Sequence, residues 1–172
     1  MKELANKFSK IKILVFDFDG VMTDGYVYVD QDGRESVRCS RRDGLGISIL
    51  KKAGLKLFVI STEKNPVVLA RCKKLEIKCF NGVGDGNNKL EILKKIATEE
   101  KTDLSEIAYV GDDLNDYEVL TSVGLPMTVA DGHPKLKDKC FYITEAPGGH
   151  HAVREICEKI IEARDLSLKY ES

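Results

Sequence analysis

The stretch ILVFDFDGVMTDG, Ile13–Gly25, sends an apolar run straight into Asp17 and Asp19, one residue apart, with Asp24 five residues on. A short apolar run ended by polar residues and a glycine reads as a buried strand, and the loop beyond its carboxyl end is where an α/β protein places its chemistry. Two more runs of this kind lie downstream. Leu57–Ile60 is followed by Ser61-Thr62-Glu63-Lys64, and Ile107–Val110 by Gly111-Asp112-Asp113. Weaker strands are expected at Lys78–Phe80, Met127–Val129 and Cys140–Ile143.

Between the strands lie helical patterns at Gly44–Ala53, Pro66–Leu75, Asn88–Glu100, Asn115–Ser122 and His151–Arg164. Strand and helix taking turns predicts an α/β fold with a doubly wound parallel sheet covered on both faces. One segment breaks the rhythm: YVYVDQDGRESVRC, Tyr26–Cys39, alternates with period two around Asp32-Gly33 and predicts a β-hairpin inserted after the first strand. The stretch NGVGDGNNK, Asn81–Lys89, reads as a loop leading into a helix. At 172 residues the chain fits one domain, residues 1–172, with the hairpin at about 26–39.

Composition excludes several classes. The net charge is −1, so no electrostatic case exists for nucleic acid as the main partner. No run approaches the roughly 20 apolar residues needed to span a membrane. MKELANKFSK carries no apolar stretch of signal-peptide length. Five scattered cysteines without a CxxC pair suit reduced thiols, and the expected location is the cytoplasm.

Carboxylates converging at one sheet edge raise one another's pKa unless a cation sits among them. Hard oxygen ligands of this kind select Mg²⁺, with room left for a phosphate oxygen. The alternative is that Asp17 and Asp19 cap a turn. Likewise Ser61 alone could be an N-cap, and Lys89 alone a solvated lysine.

Taken together, these residues resemble the haloacid dehalogenase superfamily of phosphatases. DFDGVMTDG is similar to its first motif, Ser61 to the hydroxyl of the second (with Thr62 leaving the register open by one), Lys89 to the third-motif lysine, and GDDLND, Gly111–Asp116, to the fourth. The resemblance implies that Asp17 attacks phosphorus, that Asp19 is the acid and base, and that Ser61 and Lys89 bind the phosphoryl group. It also implies Mg²⁺ held by Asp17, Asp19 through its carbonyl, and Asp112, with Asp113 and Asp116 beside them.

Only the hairpin fits between Gly25 and Gly44, so no cap domain is expected. The hairpin, RDGLGI (Arg42–Ile47), VGLPMTVADGHP (Val123–Pro134) and GGHHAVREI (Gly148–Ile156) resemble the capless branch that dephosphorylates acidic eight- and nine-carbon sugars. That branch includes the octulosonate (KDO) 8-phosphate phosphatases and the nonulosonate (sialic acid type) 9-phosphate phosphatases, and the C-terminal domain of some CMP-sialic acid synthetases is similar. The implied assembly is a homotetramer in which each subunit caps its neighbour. A second implied possibility is a tetramerising partner of an acylneuraminate cytidylyltransferase.

Within the branch, the octulosonate enzymes resemble TGRK where this chain reads STEK. Glu63 in that slot resembles the nine-carbon branch, Lys74 matches a lysine of that branch and Arg71 an arginine of both. The alternative for Arg71 and Lys74 is a solvated helix face. With Thr62 these are the expected substrate-binding residues, and the resemblance implies a nonulosonate 9-phosphate, with octulosonate 8-phosphate as the alternative. Where the branch reads Gly-Gly-Arg-Gly, this chain has Gly148-Gly149-His150-His151, so an expected arginine is missing. Adjacent histidines entering a helix point apart and make a poor zinc site. His133 is expected to order a loop and helix start.

Overall fold

The computed structural model describes residues 2–84 and 87–166. In chain order the elements are α1 (Lys2–Lys10), β1 (Ile13–Phe16), β2 (Tyr28–Val29), β3 (Glu35–Ser36), α2 (Arg41–Lys52), β4 (Lys56–Ile60), α3 (Pro66–Leu75) and β5 (Lys78–Phe80). They continue with α4 (Asn87–Glu99), β6 (Ile107–Gly111), α5 (Tyr117–Leu120), β7 (Leu125–Thr128), α6 (Pro134–Lys137), β8 (Tyr142–Ile143) and α7 (Ala152–Ala163). Six strands form a parallel sheet in the order β5-β4-β1-β6-β7-β8. The expected doubly wound architecture is what forms.

Every residue of β1 is buried, because helices cover both faces. Leu14 and Phe16 belong to one core, with Ile47, Leu50, Val68, Ile156 and Ile160. Ile13 and Val15 belong to the other, with Leu93, Ile96, Val119 and Leu136. This period-two split places α2, α3 and α7 on one face and α4, α5 and α6 on the other. β1 pairs with β4 on one side and β6 on the other, Phe16 lying opposite both Val59 and Val110. Strand order reverses there, so the crevice opens at the carboxyl end of β1, where Asp17 stands.

Two elements differ from expectation. The pattern of the first ten residues predicts no element, yet α1 forms: Leu4 and Phe8 share one helical face and pack on the core, Phe8 edge-on to Tyr142 at 5.6 Å. The helix expected at Asn115–Ser122 is instead a 3₁₀ turn, Leu114–Asp116, and the single-turn α5.

The hairpin is present but short. Tyr28 pairs with Ser36 and Val29 with Glu35, and a bridge between Thr23 and Cys39 closes the base. Asp30 Oδ1 accepts from the N–H groups of Asp32 and Arg34, both at 2.9 Å, with Gly33 left-handed at φ +76°. Tyr26, Val27, Tyr28 and Val29 are all more than half exposed. Among the described residues no cap domain stands over the crevice, and no helix is long and apolar enough to cross a membrane.

Candidate active site

Asp17 follows β1 directly and keeps the sheet's pattern, its N–H donating to the Val110 carbonyl at 2.8 Å. Its Oδ1 accepts from the Phe18 N–H at 2.7 Å, and its Oδ2 from Lys89 Nζ at 2.8 Å. Burial and then the charge of Asp116 push its carboxyl well above the ordinary range, against the pull of Lys89. A carboxylate in this state is short of positive charge.

Lys89 rises from the first turn of α4 and is completely buried. Burial pulls its ammonium toward the neutral form. Asp17 and Asp116 overcome that, and the net shift is upward. Its second bond goes to Asp116 Oδ1, also at 2.8 Å. Asp116, wholly buried, accepts on the same oxygen from the Tyr109 hydroxyl at 2.7 Å and on Oδ2 from the Asp112 N–H at 3.1 Å. The 3₁₀ turn after β6 swings Asp116 inward to take these bonds.

Asp112 completes the group. One carboxylate oxygen each from Asp17, Asp112 and Asp116 lie within 4.8 Å of one another. Burial, then Asp116 and Asp113, raise the Asp112 carboxyl to about 7. Room for it is made by Gly20, held at φ +74°, where a Cβ would overlap the Asp112 carboxylate. Gly111 does the same for Asp116. Two carboxylates short of positive charge beside a backbone carved to admit them fit a hard divalent cation such as Mg²⁺. Asp116 already accepts three donors, which leaves Asp17 and Asp112 as the available carboxylates.

Asp19 is half-buried and accepts from the Thr23 hydroxyl at 3.3 Å. Burial raises its pKa despite that bond. Asp113 faces solvent and caps the turn through the Leu114 N–H at 2.7 Å. It touches neither Lys89 nor Asp17, and acts on Asp112 through its charge.

Ser61 leaves β4 next to Asp17's strand, buried, its hydroxyl oxygen accepting from the Glu63 N–H at 3.1 Å. Thr62 is half-buried. Glu63 is exposed and folds back on its own turn, Oε1 accepting from the Lys64 and Asn65 N–H groups at 2.6 and 2.9 Å. Asn65 caps α3 and donates from its side chain to Glu35 of the hairpin at 2.6 Å. Arg71 turns inward, donating to the Ser40 carbonyl at 2.6 Å, with its Nε buried and unpartnered. Lys74 is exposed on the helix surface and makes no ion pair among the described residues.

The C-terminal glycines pack on the first-motif loop. A Cβ on Gly148 would strike the Gly20 carbonyl, and the Gly149 N–H donates to the Val21 carbonyl at 3.1 Å. His150 uses both ring nitrogens, Nδ1 toward the Gly148 carbonyl at 2.8 Å and Nε2 toward Arg38 at 2.5 Å. His151 bonds Ser40 instead, so the two rings diverge as expected. His133 caps α6 through Nδ1, in line with an ordering role. Tyr109 is a site residue that the motifs do not single out, although a phenol in the aliphatic strand IAYVG is a signal.

A family model for haloacid dehalogenase-like hydrolases matches residues 62–155. A 3-deoxy-D-manno-octulosonate 8-phosphate phosphatase of Yersinia pestis is 34% identical over 164 residues, covering 95% of this chain and 86% of its own length. That of Escherichia coli K12 is 36% identical over 163 residues, 92% of this chain and 83% of its own. The Moraxella catarrhalis enzyme of the same name, solved with magnesium ion, phosphate ion and KDO, superposes with a TM-score of 0.91 at 33% identity, covering 96% of this chain and 94% of that one.

Proposed function

The chain belongs to the haloacid dehalogenase-like hydrolases, and we propose that within them it is a Mg²⁺-dependent phosphatase of an acidic keto-deoxy sugar, octulosonate 8-phosphate first among these. The observation that carries the reading is Asp17, buried at a strand end between Lys89 and the Asp112 carboxylate. The substrate is inferred from the names of the relatives, all of which cover most of the chain.

Asp17 and Asp112, with the Asp19 carbonyl, would hold the ion. When bound, Mg²⁺ supplies positive charge to the phosphoryl oxygens. A carboxylate oxygen of Asp17 attacks phosphorus while the ester P–O bond breaks, and Asp19 gives its proton to the departing sugar oxygen. Asp19 then takes a proton from water as the water oxygen attacks the aspartyl-phosphate, releasing inorganic phosphate and freeing Asp17. The Lys89 ammonium and the Ser61 hydroxyl hold the transferred group in line.

The exposed run Tyr26–Val29 has no cover among the described residues, and a hairpin of this length is marginal alone. A homotetramer joined through the hairpins would bury it and wall the open site. The five free cysteines suit the reducing cytoplasm, where we place the reaction.

A nonulosonate 9-phosphate is the second reading, favoured by Glu63 standing where the octulosonate enzymes resemble Arg. Measuring kcat/KM with Mg²⁺ on both sugar phosphates separates them. We expect the eight-carbon ester to be preferred by about tenfold or more, and activity on both to vanish with EDTA and return with Mg²⁺. A preference for the nine-carbon ester would install the second reading.

A further inference from the structure

Behind the nucleophile the chain buries a tyrosine that takes no part in the phosphoryl transfer itself. Tyr109 sits at the centre of β6, wholly buried, in the core shared by Ile13, Val15 and Val119. Phenylalanine would serve that packing equally, and a hydroxyl placed in an apolar core is costly unless it is needed there. Here its partner among the described residues is Asp116 Oδ1 at 2.7 Å.

That oxygen is shared. Lys89 donates to it at 2.8 Å and spends a second proton on Asp17 Oδ2 at 2.8 Å. The other oxygen of Asp116 takes the Asp112 N–H at 3.1 Å. One carboxylate thus ties the strand before the fourth motif, the backbone within it and the α4 lysine into a single unit.

The choice of donor is informative. A lysine or arginine at position 109 could also satisfy Asp116, but it would add a positive charge beside Asp17 and weaken the hold of these carboxylates on a cation. A phenol gives a hydrogen bond and no charge. Burial, followed by the charges of Asp116 and Asp17, holds the phenol well above its usual pKa, so it remains a donor.

We propose that Tyr109 is a positioning residue for the nucleophile: by fixing Asp116 it holds Lys89 on Asp17 Oδ2. This rests on the assignment of Asp17 as nucleophile. Loss of the hydroxyl leaves Asp116 with fewer restraints, so Lys89 loses its fixed address.

The test uses Tyr109→Phe in the full chain, with octulosonate 8-phosphate and saturating Mg²⁺. We expect kcat to fall about tenfold with KM changed less than about twofold. If Tyr109 acts through Asp116, adding Tyr109→Phe to Asp116→Asn costs less than about a further twofold, whereas a separate packing role would multiply. A kcat within about twofold of wild type, or losses that multiply in the double variant, would overturn the proposal.

A second readout does not depend on turnover. In paired crystal structures, Lys89 Nζ should leave Asp17 Oδ2 in Tyr109→Phe. Retention of both lysine bonds at wild-type lengths overturns the positioning role. A wild-type protein inert toward phosphate esters would sink the phosphatase reading instead, and the crystallographic comparison would still decide the part played by Tyr109.

Discussion

The carboxyl edge of the sheet and the hairpin that follows β1 break the usual burial rule in opposite directions. At the edge, Asp17, Lys89 and Asp116 carry charge into the interior, each with a partner within 2.8 Å. On the hairpin, Tyr26 through Val29 carry apolar surface into water, uncovered among the described residues. The first departure is resolved by pairing inside one subunit. The second would be resolved by a neighbouring copy in the tetramer proposed above, which would then enclose a site whose charged groups all come from one chain.

The sharpest way to break this contrast is Asp17→Asn. It removes the attacking oxygen's charge but keeps the shape, so turnover should fall by at least about 10³-fold with the circular dichroism spectrum unchanged. Phosphate release at the wild-type rate would end the covalent mechanism. The next effect is on the outside. Tyr28→Asp with Val29→Asp should convert a tetramer to monomers in light scattering and lower turnover about tenfold by opening the site, without touching Lys89. A wild-type protein that is already monomeric at micromolar concentration would remove the shared enclosure.

The smallest effect sharpens the comparison with a fourth buried charge. Asp43, in the first turn of α2, accepts only the Arg154 N–H at 3.1 Å among the described residues, where Asp116 accepts three donors. Burial raises its carboxyl to about 6, against that bond and the charges of Arg71 and Arg154. The folded state therefore binds this proton more tightly than the unfolded chain does. Its contribution to stability is greatest below the unfolded pKa, falls as pH rises through about 6, and is level above it. Urea midpoints between pH 4 and 7 should show that slope flattened in Asp43→Asn, a difference of about 3 kcal/mol at most. An unchanged slope would mean Asp43 is better satisfied than its single bond implies.

Much of the fold was legible because local chemistry and tertiary context agree. Helix α3 begins and ends where its Asn65 cap, Pro66 and the apolar spacing put it, and β5 likewise occupies Lys78–Phe80. Where they disagree, the packed structure prevails. Residues 2–10 have only Leu4 and Phe8 to recommend a helix, too little without α7 and Tyr142 to pack on. The helix expected from Asn115 is interrupted because Asp116 turns in to meet Lys89, 27 residues away in sequence. Arg71 and Lys74 share a helix and a charge, yet one is drawn to the Ser40 carbonyl and the other is left in water, a difference no spacing rule contains.

The sequence by itself determined the alternation of strands and helices from β1 onward, the strand-end positions of Asp17, Ser61 and Asp112, and the type of cation such oxygens accept. Those come from periodicity and from the charge of the residues, which are local properties. Only the tertiary structure decided that Tyr109 and Asp116 lie behind Lys89, that Gly20 clears space for Asp112, and that the hairpin's apolar face is left uncovered. These depend on which distant segments meet, and that is set by the close packing of the whole chain.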